Sequence, residues 1–181
     1  MSHLGAAAIG DEIYLAGGAG LAGPRPDFDS FNAKEETFKP LTSLPVGLQQ
    51  FGMAALGSTI YVFGGLAGED GDESAKVWAF DTSRNEWTER RPMPQKRYGL
   101  VAVEAGTNIY IFGGKGGSEV LIYDPVADTW RKGPAMPASR SGLAAASDGT
   151  TIYLVGGQGD GTTPSARLDV FDTATESFTQ G

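Results

Sequence analysis

The sequence contains no cysteine, and its single histidine, His3, stands near the start. Without cysteine there are no disulfides, no thiolate metal sites and no cysteine nucleophiles. Cations are also in short supply, with 14 Lys and Arg against 22 Asp and Glu, a net charge of −8 and a pI near 4.6. Binding to a phosphate backbone depends on clustered Lys and Arg, so nucleic acid is not an expected partner. No apolar run approaches a spanning length, and no charged-then-apolar leader opens the chain. The expectation is a soluble, cytoplasmic protein with no membrane partner, of a length suited to one domain over residues 1–181.

Glycine is plentiful, at 27 residues, and it is ordered. Pairs stand at Gly17-Gly18, Gly64-Gly65, Gly113-Gly114 and Gly156-Gly157, with the second glycines 47, 49 and 43 residues apart. Self-similarity at that period is the mark of a repeat architecture. Each pair closes a short apolar run: Ile13 to Ala16, Ile60 to Phe63, Ile109 to Phe112 and Ile152 to Val155. Such β-branched and aromatic runs suit buried strands. An aromatic followed by a turn residue then recurs as Phe31-Asn32, Phe80-Asp81, Tyr123-Asp124 and Phe171-Asp172. Seven residues after each aromatic comes another: Phe38, Trp87, Trp130 and Phe178. A constant offset implies two strands joined by a tight turn, because a one-residue slip would turn buried side chains outward. The Asp or Asn starts that turn by binding backbone groups, and Trp87 and Trp130 are expected in the core. A strand rich in small residues precedes each apolar run, giving four strands per unit. The units run approximately over 1–47, 48–95, 96–138 and 139–181.

These landmarks resemble the kelch family. The match rests on the four glycine pairs, the Tyr123-Asp124 type of turn, Trp87 and Trp130, Met93-Pro94 and Met136-Pro137, and Arg97 and Arg140. Unit one departs from the pattern, with Asn32, Phe38 and Gln50 where aspartate, tryptophan and arginine belong. The resemblance implies an all-β kelch propeller made of four four-stranded antiparallel blades. Four is the low end of the usual number, so a closed four-bladed ring, an oligomer of open arcs and a piece of a longer protein compete. The favoured reading is an incomplete or open propeller, part of a longer protein, whose bare faces would allow self-association.

Alternation of strand direction places the second-to-third connections and the links between units on one face. The connections there vary in length, as binding surfaces of repeat proteins do. They are Ala19 to Phe28, Leu66 to Ala75, Lys115 to Glu119 and Gln158 to Ala166. Arg97 and Arg140 precede the innermost strands by two residues, counted to Gly99 and Gly142, and the same count places His3 before Gly5 and Gln50 before Gly52. The expected site is therefore a channel mouth made of Arg97, Arg140, Gln50 and His3, with Tyr98 on the rim. The resemblance implies that such arginines contact acidic peptides or anionic ligands, and a guanidinium suits a carboxylate. The competing structural role for the same arginines is to pair with a neighbouring carboxylate or with carbonyls.

Two local patterns fail as sites. The acidic run Glu69 to Glu73 lacks the alternating ligands of a calcium loop, and Gly113 to Gly117 lacks the Ser or Thr and the helix of a phosphate loop. Copper chemistry of the galactose-oxidase kind needs a cysteine and histidines that this chain lacks. No cofactor or metal is expected, and no catalytic residue is assigned. The expected function is a non-enzymatic binding module for a protein, a peptide or a small anionic or sugar ligand. The alternative is a sugar mutarotase or epimerase resembling the bacterial sialic-acid enzymes, drawing on Arg140, Arg97 and Glu104.

Overall fold

The computed structural model describes residues 2–115, 117–159 and 163–181. Among these residues there is no helix, and so none long and apolar enough to cross a membrane. Each glycine-pair unit forms a four-stranded antiparallel sheet in chain order from its innermost strand. The first comprises Gly5–Ile9, Glu12–Ala16, Phe28–Asn32 and Thr37–Pro40. The second comprises Gly52–Leu56, Thr59–Phe63, Val77–Asp81 and Glu86–Arg90. The third comprises Tyr98–Ala105, Asn108–Lys115, Glu119–Asp124 and Thr129–Ala135. The fourth comprises Ala144–Ser147, Thr151–Val155, Leu168–Asp172 and Ser177–Gln180.

The constant outer hairpin has a local cause. In each unit the turn residue's Oδ1 accepts from two following backbone N–H groups. Asn32 serves Lys34 and Glu35, and Asp81 serves Ser83 and Arg84. Asp124 serves Val126 and Ala127, and Asp172 serves Ala174 and Thr175. The turn closes through a left-handed residue at Glu36, Asn85, Asp128 and Glu176, a conformation Asn and Asp tolerate better than most residues.

Because successive side chains alternate faces, each sheet has an apolar surface on both sides. Tyr14, Ala16 and Phe28 of the first sheet meet Ile60, Val62 and Phe80 of the second. Tyr61, Phe63 and Val77 then meet Ile109, Ile111 and Tyr123 of the third. Tyr110, Phe112, Val120 and Ile122 meet Ile152, Leu154 and Phe171 of the fourth. Among the described residues no apolar cluster joins the fourth sheet to the first, so the sheets form an open arc.

Trp87 and Trp130 sit differently from expectation. Both are half-buried at the edge of a seam between sheets. The Trp87 indole donates to the Thr42 carbonyl at 2.8 Å, and Trp130 to the Arg91 carbonyl at 3.0 Å. Each tryptophan thus clasps the preceding unit, and an indole with a polar edge suits a seam better than a dry centre.

Candidate functional site

The glycine pairs are where one unit admits the next. A Cβ at Gly64 would stand 2.5 Å from the Arg97 carbonyl oxygen, and one at Gly113 2.3 Å from that of Arg140. Both glycines also have left-handed φ, +61° and +64°, so close approach and conformation each demand glycine. The second glycine of three pairs then donates across the seam. Gly18, Gly65 and Gly114 bind the carbonyls of Leu48, Arg97 and Arg140, each at 2.8 Å.

These bonds align the units and correct the register expected for the arginines. Leu48, Arg97 and Arg140 are equivalent positions. His3, Gln50, Gly99 and Gly142 form a separate set, all left-handed with φ of 57°, 55°, 66° and 64°. A backbone ladder runs through this second set. Gln50 N–H donates to the His3 carbonyl at 3.3 Å, Gly99 N–H to Gln50 at 2.7 Å, and Gly142 N–H to Gly99 at 2.7 Å. One left-handed residue from each unit therefore lines the central mouth.

Over that ladder lies a cavity of about 480 Å3. Its polar lining is His3, Gln50, Ser141 and Gln158, with the backbone of Gly99, Gly142 and Gly157. Leu4, Phe51, Leu100 and Pro164 supply its apolar surface. Of the sequence-predicted residues, the structure brings His3 and Gln50 together here. Tyr98 is half-buried, pairs with Lys115 and is not among the lining residues. Gln158 opens one of the expected connections, Gln158 to Ala166, while Ser141 was not among the expected site residues. They are joined by a pair of backbone hydrogen bonds at 2.9 and 2.8 Å, which no sequence motif announces. Residues 116 and 160–162 of two expected loops lie outside the described residues.

The arginines do not line the mouth. Arg97 is 0% exposed and Arg140 2%, each guanidinium bonded to carbonyls of its own unit. Arg140 Nη1 donates to the carbonyls of Gly156 and Arg167 at 2.8 and 3.0 Å, and its Nη2 pairs with buried Asp169. Asp169 is also held by Arg167 at 2.7 Å. Among the described residues Arg97 Nη1 reaches only the Gly113 carbonyl, at 3.4 Å. With its amide carbonyl turned to the guanidinium, Gln95 accepts from Arg97 Nε at 3.0 Å. Among the described residues no carboxylate forms an ion pair with Arg97. Asp169 lies opposite Leu154, and the matching place opposite Ile111 is taken by Leu121. Burial pulls both guanidiniums below their ordinary pKa, opposed by Glu119 for Arg97 and by Asp169 for Arg140. Glu104 pairs with Ile109 beside the turn at the other end of the innermost strand, remote from the mouth-side residue Tyr98.

Comparison with known proteins agrees with this geometry. The KLHDC2/KLHL20/DRC7 Kelch-repeats domain matches residues 50–181. Human Kelch-like protein 25 is 35% identical over 81 residues, covering 45% of this chain and 14% of that protein. The human Rab9 effector protein with kelch motifs is 34% identical over 117 residues, covering 59% of this chain and 31% of that protein. The chain therefore spans less than a third of either relative. The solved structure of YjhT superposes with a TM-score of 0.86 at 18% identity, over 99% of this chain and 65% of that one. A likeness at that identity speaks to the propeller fold alone. By sequence landmarks, architecture and family match together, the chain belongs to the kelch-repeat family.

Proposed function

We propose that the chain is a non-enzymatic binding module that holds a segment of a partner protein over the mouth cavity, on the face of the variable connections. One observation carries this reading. Residues from all four units converge on a single cavity through the left-handed ladder, and its described lining is neutral apart from His3. Neutral amide and hydroxyl groups over an apolar floor suit the backbone and small side chains of a peptide. A small anionic ligand has less support, since both arginines are withdrawn from the mouth. In this reading they act beneath it, holding the carbonyls and loops that shape it. A mutarotase or epimerase would need acid and base groups facing the cavity, and no observation favours it.

The test is selection of binding peptides from a displayed random library on the immobilised chain. Ser141→Trp fills the cavity and should weaken the selected peptides about tenfold or more, equal to about 1.4 kcal/mol. Glu35→Lys, in an outer turn on the opposite face, should leave them unchanged. Selected peptides that bind both variants as they bind the parent chain would overturn the mouth as the site.

A further inference from the structure

Most large aromatics of this chain recur at fixed places in the repeat; Trp78 does not. It lies opposite Val62, where the other units place Asp29, Leu121 and Asp169 opposite Leu15, Ile111 and Leu154. Trp78 is half-buried, and its indole N–H finds no acceptor among the described residues. An orphaned buried donor is costly, so packing alone is a poor reason for tryptophan here.

What surrounds the ring gives it another use. Trp78 forms part of a groove of about 580 Å3, between the links that join the second unit to its neighbours. Its walls are Pro45, Val46, Ala75 and Pro92. Lys76 Nζ stands 5.2 Å from the centre of the Trp78 ring and 3.3 Å from Glu89, so the ring already receives a cation. One bank is acidic. Asp72 and Glu73 line the groove, Glu69 and Asp70 adjoin them, and all four are exposed with no ion pair among the described residues.

These features narrow the occupant. Pro45 and Pro92 have no N–H to offer, so the walls serve an added β-strand badly. A polyproline segment has no internal hydrogen bonds to satisfy, keeps its backbone in water, and packs its rings on aromatic surfaces. The acidic bank complements a positive charge beside that segment. We propose that the Trp78 groove docks a proline-containing segment of a partner protein flanked by Lys or Arg. The proposal rests on the protein-binding reading of this face, but it assigns a second contact outside the mouth cavity. It also gives the acidic run Glu69 to Glu73 a role.

The experiment measures fluorescence anisotropy of labelled synthetic peptides against the full chain. The probe has a proline–leucine core and an arginine tail; one control carries an aspartate tail, another replaces the prolines by alanine. The arginine-tailed probe should bind at micromolar to sub-millimolar concentration, both controls about tenfold more weakly or worse. Trp78→Phe keeps most of the packing and should reduce binding about tenfold, with the melting temperature read in parallel. Asp72→Asn with Glu73→Gln, at exposed positions, should weaken binding and flatten its salt dependence. Equal binding to Trp78→Phe and the parent, no preference for the arginine tail, or no binding of the probe overturns the groove. Binding blocked by Ser141→Trp and indifferent to Trp78→Phe also overturns it, while leaving the mouth reading intact.

Discussion

The faces between blades and the two faces at the ends of the arc are built from the same repeat positions, yet they differ in burial. Phe112 of the third blade is 0% exposed, while Val155, its counterpart in the fourth, is 51% exposed and neighbouring Tyr153 is 40% exposed. On the other flank, Phe38 is 68% exposed where Trp87 and Trp130 are clasped into seams. The difference teaches that a blade does not bury its own apolar faces. Two strands deep in a sheet leave both surfaces bare, and only the neighbouring blade removes them from water. The glycine pairs tell the same story. A Cβ at Gly113 would collide with the Arg140 carbonyl, but among the described residues one at Gly156 meets only the Ser165 carbonyl, at 3.7 Å.

That contrast can be broken most severely at the glycines. Gly113→Ala forces a left-handed alanine and a clash with backbone, and should destabilise by about 2–5 kcal/mol. Gly156→Ala carries the conformational part alone, about 1–2 kcal/mol. Urea denaturation of both variants checks this, and equal losses would mean that the fourth blade's outer face is crowded after all.

The two arginines sharpen the comparison next. Arg140→Leu strips buried Asp169 of its main partner and should cost up to about 3–5 kcal/mol, less whatever Arg167 still supplies. Arg97→Leu puts into the third blade what Leu48 already is in the second, at a position where no carboxylate among the described residues pairs with the side chain. It should change stability by less than about 1 kcal/mol, in either direction. A large loss for Arg97→Leu would show that the guanidinium is worth more to the Gly113 seam than its long bond to that carbonyl and its bond to Gln95 imply.

The smallest effect is expected at the bare faces. Phe38→Lys and Val155→Lys should each shift stability by no more than about 0.5 kcal/mol. Exposed apolar faces of this kind favour association, so light scattering should show concentration-dependent growth of the parent chain that these lysines reduce. A parent chain that stays monomeric at every concentration would mean that the end faces do not pair.

Much of the architecture was legible in local residues. The Asn32, Asp81, Asp124 and Asp172 turns and the offset of seven report chemistry settled within a few residues of chain, and the glycine pairs marked the period, although what demands glycine there is the next unit. The mouth was legible only in part. His3 and Gln50 line the cavity, whereas Arg97 and Arg140 lie two residues from the register counted for them and are buried. A signal was present: His3, Gln50, Gly99 and Gly142 are spaced by 47, 49 and 43 residues, the same steps as the glycine pairs. Counting by the repeat steps of the glycine pairs, rather than from the nearest glycine, separates the mouth residues from the buried arginines. The variable connection that begins at Gln158 was legible, but nothing in the spacing announces Ser141 at the cavity or the packing around Trp78.

The sequence by itself determined the hairpins, the alternation of faces and the period, because backbone hydrogen bonding and turn chemistry act over short separations. Only the tertiary structure decided which faces are covered, which polar groups reach the mouth and which are withdrawn beneath it. Those outcomes depend on the approach of one blade to the next, and a shift of two residues along the chain separates a residue lining the cavity from one sealed against carbonyls of its own blade.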